Sequence, residues 1–122
     1  MILTTTIPLR KIAYARSGDK GNNSNIGVIT YSLSGYQFLT EYLTSDRVEE
    51  FFKPLGVKSV LRYELPNLWA LNFVLIGALA GGGSRSLRID SQGKALGQAI
   101  LEMPIEVSIE KLDSIKKPNG NA

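Results

Sequence analysis

Two glycine-rich stretches, residues 15–28 and 81–94, hold the side chains that could bind a negatively charged group. Glycine lets a backbone come close to a ligand and turn its amides toward one point. Arginine and lysine bind carboxylates and phosphates through charge-assisted hydrogen bonds, which arginine can make in parallel pairs. We therefore predict one anion site between the two stretches. The expected ligand-binding residues are Arg16, Ser17, Lys20, Asn25, Ser84, Arg85 and Arg88.

The positive charge of the chain is concentrated in the same regions. The net charge is +3, whereas residues 10–20 carry +3 and residues 85–94 carry +2, so the remainder is slightly acidic. Such a distribution suits a small anionic ligand. Neither region has the long basic run or the interleaved aromatic residues typical of nucleic-acid binding, so we expect no nucleic-acid partner.

Two other interpretations of these residues stay open. Asp19 and Asp90 could pair with the neighbouring cations and merely fix tight turns, because structural ion-pair networks resemble binding sites. Asp19 and Lys20 could instead act as a catalytic acid/base pair, each shifting the pKa of the other. Whether the chain is an enzyme is therefore left open.

The composition excludes several kinds of chemistry. The sequence has no cysteine and no histidine, which rules out disulfides, thiol nucleophiles and thiolate zinc sites, and removes the usual general base. Ser17 and Ser84 consequently have no histidine to activate them as nucleophiles. Because the carboxylates are scattered along the chain, we expect neither a metal nor a cofactor.

The length of 122 residues fits one domain with a real hydrophobic core. We place this domain at residues 7–110 and expect residues 111–122 to form a disordered polar tail. No signal-peptide pattern is apparent, and the apolar run at 68–80 is too short to cross a bilayer. We expect a cytoplasmic protein with no membrane partner.

The first half of the chain predicts strands and a broken helix. After a frayed lead-in over residues 1–6, the pattern indicates a strand at 7–16, the first glycine-rich stretch as a loop, and a strand at 25–31. Apolar residues at helical spacing then predict helix over 35–53, interrupted near Thr44, which can cap a second segment.

The second half continues the alternation of strands and helices. We predict a strand at 57–65 and favour a helix over 68–80, because this run is long and glycines follow it, with a buried strand as the alternative. A short strand at 85–89, a turn at 90–93, a helix from Leu96 and a last strand at 105–110 complete the pattern.

This order of elements predicts an α+β sandwich, in which a mainly antiparallel sheet carries helices on one face. Such a sheet has strand edges to cover, and two-fold association is the commonest arrangement of soluble proteins. We therefore expect a homo-oligomer, most simply a dimer.

The stretches "ARSGDKGNNSNIGV" at 15–28 and "LNFVLIGALAGGGSRSLRIDSQGKALGQAIL" at 71–101 resemble the small C-terminal domain of the acyclic terpene utilisation protein AtuA and its stand-alone relatives. The resemblance extends from about residue 12 to 105. The sequence departs from it mainly at Asn22–Asn23–Ser24, where acidic or small residues are more usual.

The resemblance implies a ferredoxin-like fold and a role in the catabolism of branched or terpenoid acyl compounds handled as acyl-CoA thioesters. The family offers no assigned catalytic residues to transfer. It also suggests an accessory subunit with a larger AtuA-type partner protein, so a protein-interaction module without a ligand is the second class of function.

Overall fold

A computed structural model of the chain describes residues 3–20, 23–77 and 94–115. In this part of the chain the strands are β1 (Thr4–Pro8), β2 (Ala13–Lys20), β3 (Asn23–Thr30), β4 (Ser59–Leu65), β5 (Ala70–Ile76) and β6 (Pro104–Ser108). The helices are α1 (Leu33–Tyr42), α2 (Ser45–Phe52), α3 (Lys94–Leu101) and α4 (Ile109–Ile115). The predicted α+β class is confirmed.

The strands form two antiparallel sheets, a four-stranded one in the order β2-β3-β5-β4 and a pair of β1 with β6. Helices α1, α2 and α3 contact the four-stranded sheet. Residues of β3 and β5 that face these helices are buried, among them Ile26, Leu71 and Phe73. Side chains such as Tyr14, Leu61 and Tyr63 are exposed on the opposite face, which we call the open face. The prediction of helices on one side of the sheet is therefore confirmed.

The first glycine-rich stretch is not a loop, as the sequence predicted, but most of a β-hairpin. Strands β2 and β3 pair from Ala13 opposite Thr30 to Lys20 opposite Asn23. The stretch forms strands because burial alternates along β3. Ser24, Ile26, Val28 and Thr30 are all buried, and the residues between them lie on the open face. Period-two burial is the signature of a strand even when its exposed members are polar.

The predicted strand at 7–16 is wrong in its extent, and so is the frayed lead-in. Residues Thr4–Pro8 already form β1, which pairs with β6. A 3-10 turn over Leu9–Lys11 then separates β1 from β2. Leu9 and Ile12 are both fully buried, and their spacing of three residues places them on one side of such a turn.

The helix favoured over 68–80 is also wrong: residues 70–76 form strand β5, and residues 78–80 lie outside the described part of the chain. Strand β5 lies between β3 and β4 and pairs with both. A central strand covered on one face by helices buries alternate side chains, here Leu71, Phe73 and Leu75. This pairing decides the conformation of a run whose periodicity alone is ambiguous.

The two helical segments predicted over 35–53 are confirmed as α1 and α2. The Ser32 hydroxyl accepts a hydrogen bond from Gly35 N at 3.0 Å, and the Thr44 hydroxyl accepts one from Arg47 N at 3.1 Å, as N-caps do. Arg62 Nη1 in β4 donates to the carbonyl oxygens of Thr40 and Leu43 at the end of α1. The Arg62 hydrogen bonds tie the end of α1 to the sheet.

The disordered tail predicted over 111–122 is wrong for residues 111–115, which belong to α4. Helix α4 contacts α1, and Ile115 is 1% exposed. Burial of this isoleucine stabilises the helix against the domain. The last strand accordingly ends at Ser108, and Ile109 begins α4.

The helix predicted from Leu96 is confirmed as α3, whereas the strand at 85–89 and the turn at 90–93 lie outside the described residues.

None of the described helices is both long and apolar enough to cross a membrane.

Candidate functional site

A row of residues, one from each of the four strands, crosses the middle of the open face. The antiparallel register places Arg16 opposite Gly27, Gly27 opposite Asn72, and Asn72 opposite Tyr63. Residues directly opposite one another in an antiparallel sheet share a face. The row therefore combines one cation, one amide and one phenol around a glycine that leaves space.

Asn25 lies one step along β3 on the same face. Its Nδ2 donates a hydrogen bond to Asn72 Oδ1 at 3.2 Å. This bond ties two neighbouring strands together through their side chains and fixes the orientation of both amides. Each amide has further donor and acceptor positions besides this bond.

A cavity of about 330 Å³ lies beside this amide pair. One end is polar and holds Arg16 and Asn25, and the other end is apolar. The cavity is lined by Arg16, Ser17, Gly18, Asn25, Gly27, Ile29, Leu65, Leu68 and Ala70. Its volume lies at the lower end of the range of small-molecule sites, and its mixture of polar and apolar groups is typical of them.

Arg16 forms no ion pair within the described residues, where the ion pairs are Arg10 with Glu102 and Arg62 with Glu64. Arg16 is exposed, and within the described residues its guanidinium has no carboxylate partner. An exposed arginine beside an apolar cavity is suited to a ligand that has an anionic head and an apolar body.

The structure brings together only some of the residues that the sequence placed in one site. Arg16 and Asn25 lie together on the open face, whereas Ser17 faces α3 on the other side of β2. Lys20 and Asp19 end β2, and the structure describes their backbone only. The predicted ligand-binding residues that lie outside the described part of the chain are Ser84, Arg85 and Arg88.

Ser17 instead holds α3 against β2. Its hydroxyl accepts a hydrogen bond from Gly97 N at 3.0 Å. Although Ser17 also borders the cavity, this bond directs its hydroxyl to the helix side of the sheet. The contact holds the first turns of α3, which begins at Lys94, against β2.

Sequence reasoning missed Gly27, Asn72, Leu65 and Leu68 as site residues. Asn72 stands in the apolar run at 68–80, for which we favoured a helix. The available signal was its position between Leu71 and Phe73, because a lone polar residue between two core residues marks the opposite face of a strand.

We also considered whether the described residues could form a metal centre. Among the described residues, no group of three or more carboxylate, histidine or cysteine side chains could hold a metal ion.

The fold and the cavity define a small α+β domain with a ligand-sized cavity on the uncovered face of its sheet. A family model described as the AtuA ferredoxin-like domain matches residues 7–106. The chain belongs to this family. Searches among curated proteins and among solved structures found no match.

Proposed function

We propose that this domain binds a small organic anion with an apolar body, such as the carboxylate of a branched acyl compound, in the cavity on the open face. The observation that carries the proposal is the position of Arg16, unpaired among the described residues, at the polar end of a cavity whose other end is apolar. The domain would act as an accessory component that holds the ligand.

The polar end provides recognition of the anionic head. A guanidinium donates two parallel hydrogen bonds to a carboxylate, and the Asn25–Asn72 amide pair adds neutral hydrogen bonds beside it. On an open sheet face the charged bonds are partly screened by water, so recognition also needs the apolar end.

The apolar end suits a short acyl chain. Ile29, Leu65 and Leu68 surround Ala70, whose small side chain forms part of the cavity wall. Burial of each methylene group against such a surface contributes about 0.8 kcal/mol. A branched chain of a few carbons fits a cavity of about 330 Å³. The family resemblance to a domain linked to branched acyl catabolism points to the same class of ligand.

Replacing Arg16 with glutamine tests the proposal. We expect Arg16→Gln to weaken the binding of 3-methylbutanoate by about 1.5–3 kcal/mol, or roughly ten- to a hundredfold, because a charged hydrogen bond is lost. Thermal shift and isothermal titration would measure the loss, since a ligand that binds the folded state stabilises it more as its concentration rises above the dissociation constant.

Arg10→Gln is the matched control, because it removes the same charge from an exposed ion pair that does not line the cavity. Its binding should equal that of the parent. Equal affinity of the Arg16 and Arg10 variants for every anion, including phosphate, would contradict the proposal.

Gly27→Ala tests the cavity independently of charge. A Cβ at this position would meet Arg16 O, Asn72 Oδ1 and Ile29 Cδ1, each at 3.9 Å, so it fits without strain but occupies cavity space. We expect the free energy of unfolding to rise by about 0.4–1 kcal/mol, because alanine restricts the unfolded chain. Ligand affinity should fall in the same variant. A variant that is more stable and binds as tightly as the parent would place the ligand elsewhere.

A protein-interaction module is the second candidate function. Large apolar side chains are exposed on or beside the open face, namely Tyr14, Leu61, Tyr63, Leu65, Leu68 and Trp69. Contiguous exposed apolar surface marks an interaction site, and a larger AtuA-type protein is the partner that the family suggests. Copurification of such a partner with the parent but not with a Leu68→Ser variant would favour this function.

Two elements of the sequence-based hypothesis stay predictions. One is the contribution of Lys20, Ser84, Arg85 and Arg88 to the anion site, and the other is acid/base catalysis by Asp19 and Lys20. Turnover of an acyl thioester by the isolated chain, abolished by Asp19→Asn, would support the catalytic alternative.

A further inference from the structure

Strand β4 is an outer strand of the four-stranded sheet. Within the described residues it pairs with β5 only, so alternate backbone N–H and C=O groups on its outer side have no strand to bond to. Its side chains are unusually exposed for apolar residues: Leu61 is 44%, Tyr63 51% and Leu65 39% exposed. An unprotected edge with apolar side chains is a site where another strand can pair.

The sequence of this edge is complementary to itself. Residues 61–65 read Leu-Arg-Tyr-Glu-Leu, so the two halves about Tyr63 mirror each other, with one arginine matched by one glutamate. When two copies of such a strand pair antiparallel about Tyr63, each residue meets the residue at the mirrored position. Leu61 then lies opposite Leu65 of the second copy, and Arg62 lies opposite Glu64 of the second copy.

We propose that a second copy of this chain docks on β4, with the two β4 strands antiparallel and centred on Tyr63. The two four-stranded sheets thereby become one continuous sheet with a two-fold axis at the Tyr63 pair. Such an isologous contact closes at two copies and leaves no open-ended assembly.

Charge complementarity favours a second copy over an unrelated partner. Arg62 Nη2 already bonds Glu64 Oε2 of its own strand at 2.9 Å, on the helix side of the sheet. Glu64 remains 53% exposed and has a second carboxylate oxygen to share. Pairing of the strands adds Arg62 of the second copy beside it, which creates a network of four alternating charges. Opposite charges across a strand pair stabilise it, and like charges destabilise it.

The apolar side chains add to this pairing on the open face. Tyr63 meets its own copy, and Leu61 meets Leu65 on either side of it. The two-fold axis runs perpendicular to the sheet, so both candidate cavities lie on the same side of the joined sheet. One short strand pair buries a small interface, so the dimer should dissociate on dilution.

The oligomeric mass measured by light scattering over a range of concentrations tests the interface. The parent should reach twice the 13.3 kDa chain mass. Glu64→Lys sets like charges opposite one another at two positions, so the dimer dissociation constant should rise about tenfold or more. Glu50→Lys, which makes the same charge change on the exposed surface of α2, should leave the constant unchanged. A monomeric parent, or equal dissociation constants for both variants, would overturn the proposal.

Disulfide crosslinking of an introduced cysteine tests the register without relying on charge–charge interactions. The chain has no cysteine of its own, so the introduced thiol is the only one. Tyr63→Cys places two thiols opposite each other across the axis, and mild oxidation should convert most of the chain to a disulfide-linked dimer. Leu61→Cys is the matched control on the same strand and face. In the proposed register residue 61 of one chain faces residue 65 of the second chain. The two introduced thiols are therefore separated by four residues along the strand, beyond the reach of a disulfide. Failure of Tyr63→Cys to crosslink, or equal crosslinking of both variants, would exclude this register.

Discussion

Replacing Phe73 with alanine is expected to lower the free energy of unfolding by about 3–5 kcal/mol, the usual cost of removing a buried phenylalanine. Phe73 is fully buried at the centre of β5, opposite Ile26 on one side and Arg62 on the other. Its ring packs in the core under the helices, so deletion leaves a cavity in the middle of the sheet. Urea unfolding followed by circular dichroism would measure the change.

Val74→Ala is the matched control, because Val74 is the next residue and lies half-buried on the open face. A cost of less than about 1.5 kcal/mol is expected, because part of this side chain is already in water. Similar losses at both positions would contradict the alternation that defines β5. A helix through residues 70–76 would instead group Leu71 with Leu75 and place Phe73 on a different side.

The conformation of β5 shows why part of the fold could not be predicted from the sequence. Leu71, Phe73 and Leu75 alternate as a strand requires, but Val74 and Ile76 are apolar as well, so the alternation is hidden. Only Asn72 marks the open face. What selects the strand is pairing with β3 and β4, and the distant partners that provide it cannot be identified from local spacing. By contrast, α1 and α2 have local caps at Ser32 and Thr44. Sequence reasoning identified the Thr44 cap and the break between the two helices, and it missed only the Ser32 cap and the first turn of α1.

The position of the candidate-site residues was likewise predicted only in part. Residue type identified Arg16 and Asn25 as ligand candidates, and the structure places both on the open face. Sequence reasoning grouped Ser17 with them because it treated the stretch as a loop, in which neighbours can turn to one point. In a strand, Arg16 and Ser17 point to opposite faces. The many glycines and asparagines concealed the buried positions at Ser24, Ile26 and Val28, whose spacing of two indicates a strand.

Gly97→Val is expected to lower the free energy of unfolding by about 2–4 kcal/mol, through overpacking and through loss of a hydrogen bond. Helix α3 approaches β2 so closely at this point that a Cβ on residue 97 would lie 2.9 Å from Ser17 Oγ and 3.4 Å from Ser17 Cβ. A larger side chain must push the helix away or displace the serine hydroxyl from Gly97 N. Chemical denaturation of the variant would measure the loss.

Gln98→Val is the control for this prediction, because Gln98 is the next residue of the same helix and is exposed. Its cost should stay below about 0.7 kcal/mol, the range of helix propensity. A second comparison locates the cause in one contact: the cost of Gly97→Val should be smaller in a Ser17→Ala background, because the atom that a Cβ would meet first is absent there. Equal costs at residues 97 and 98, or a cost that Ser17→Ala leaves unchanged, would show that the approach of α3 to β2 does not depend on the Ser17–Gly97 contact.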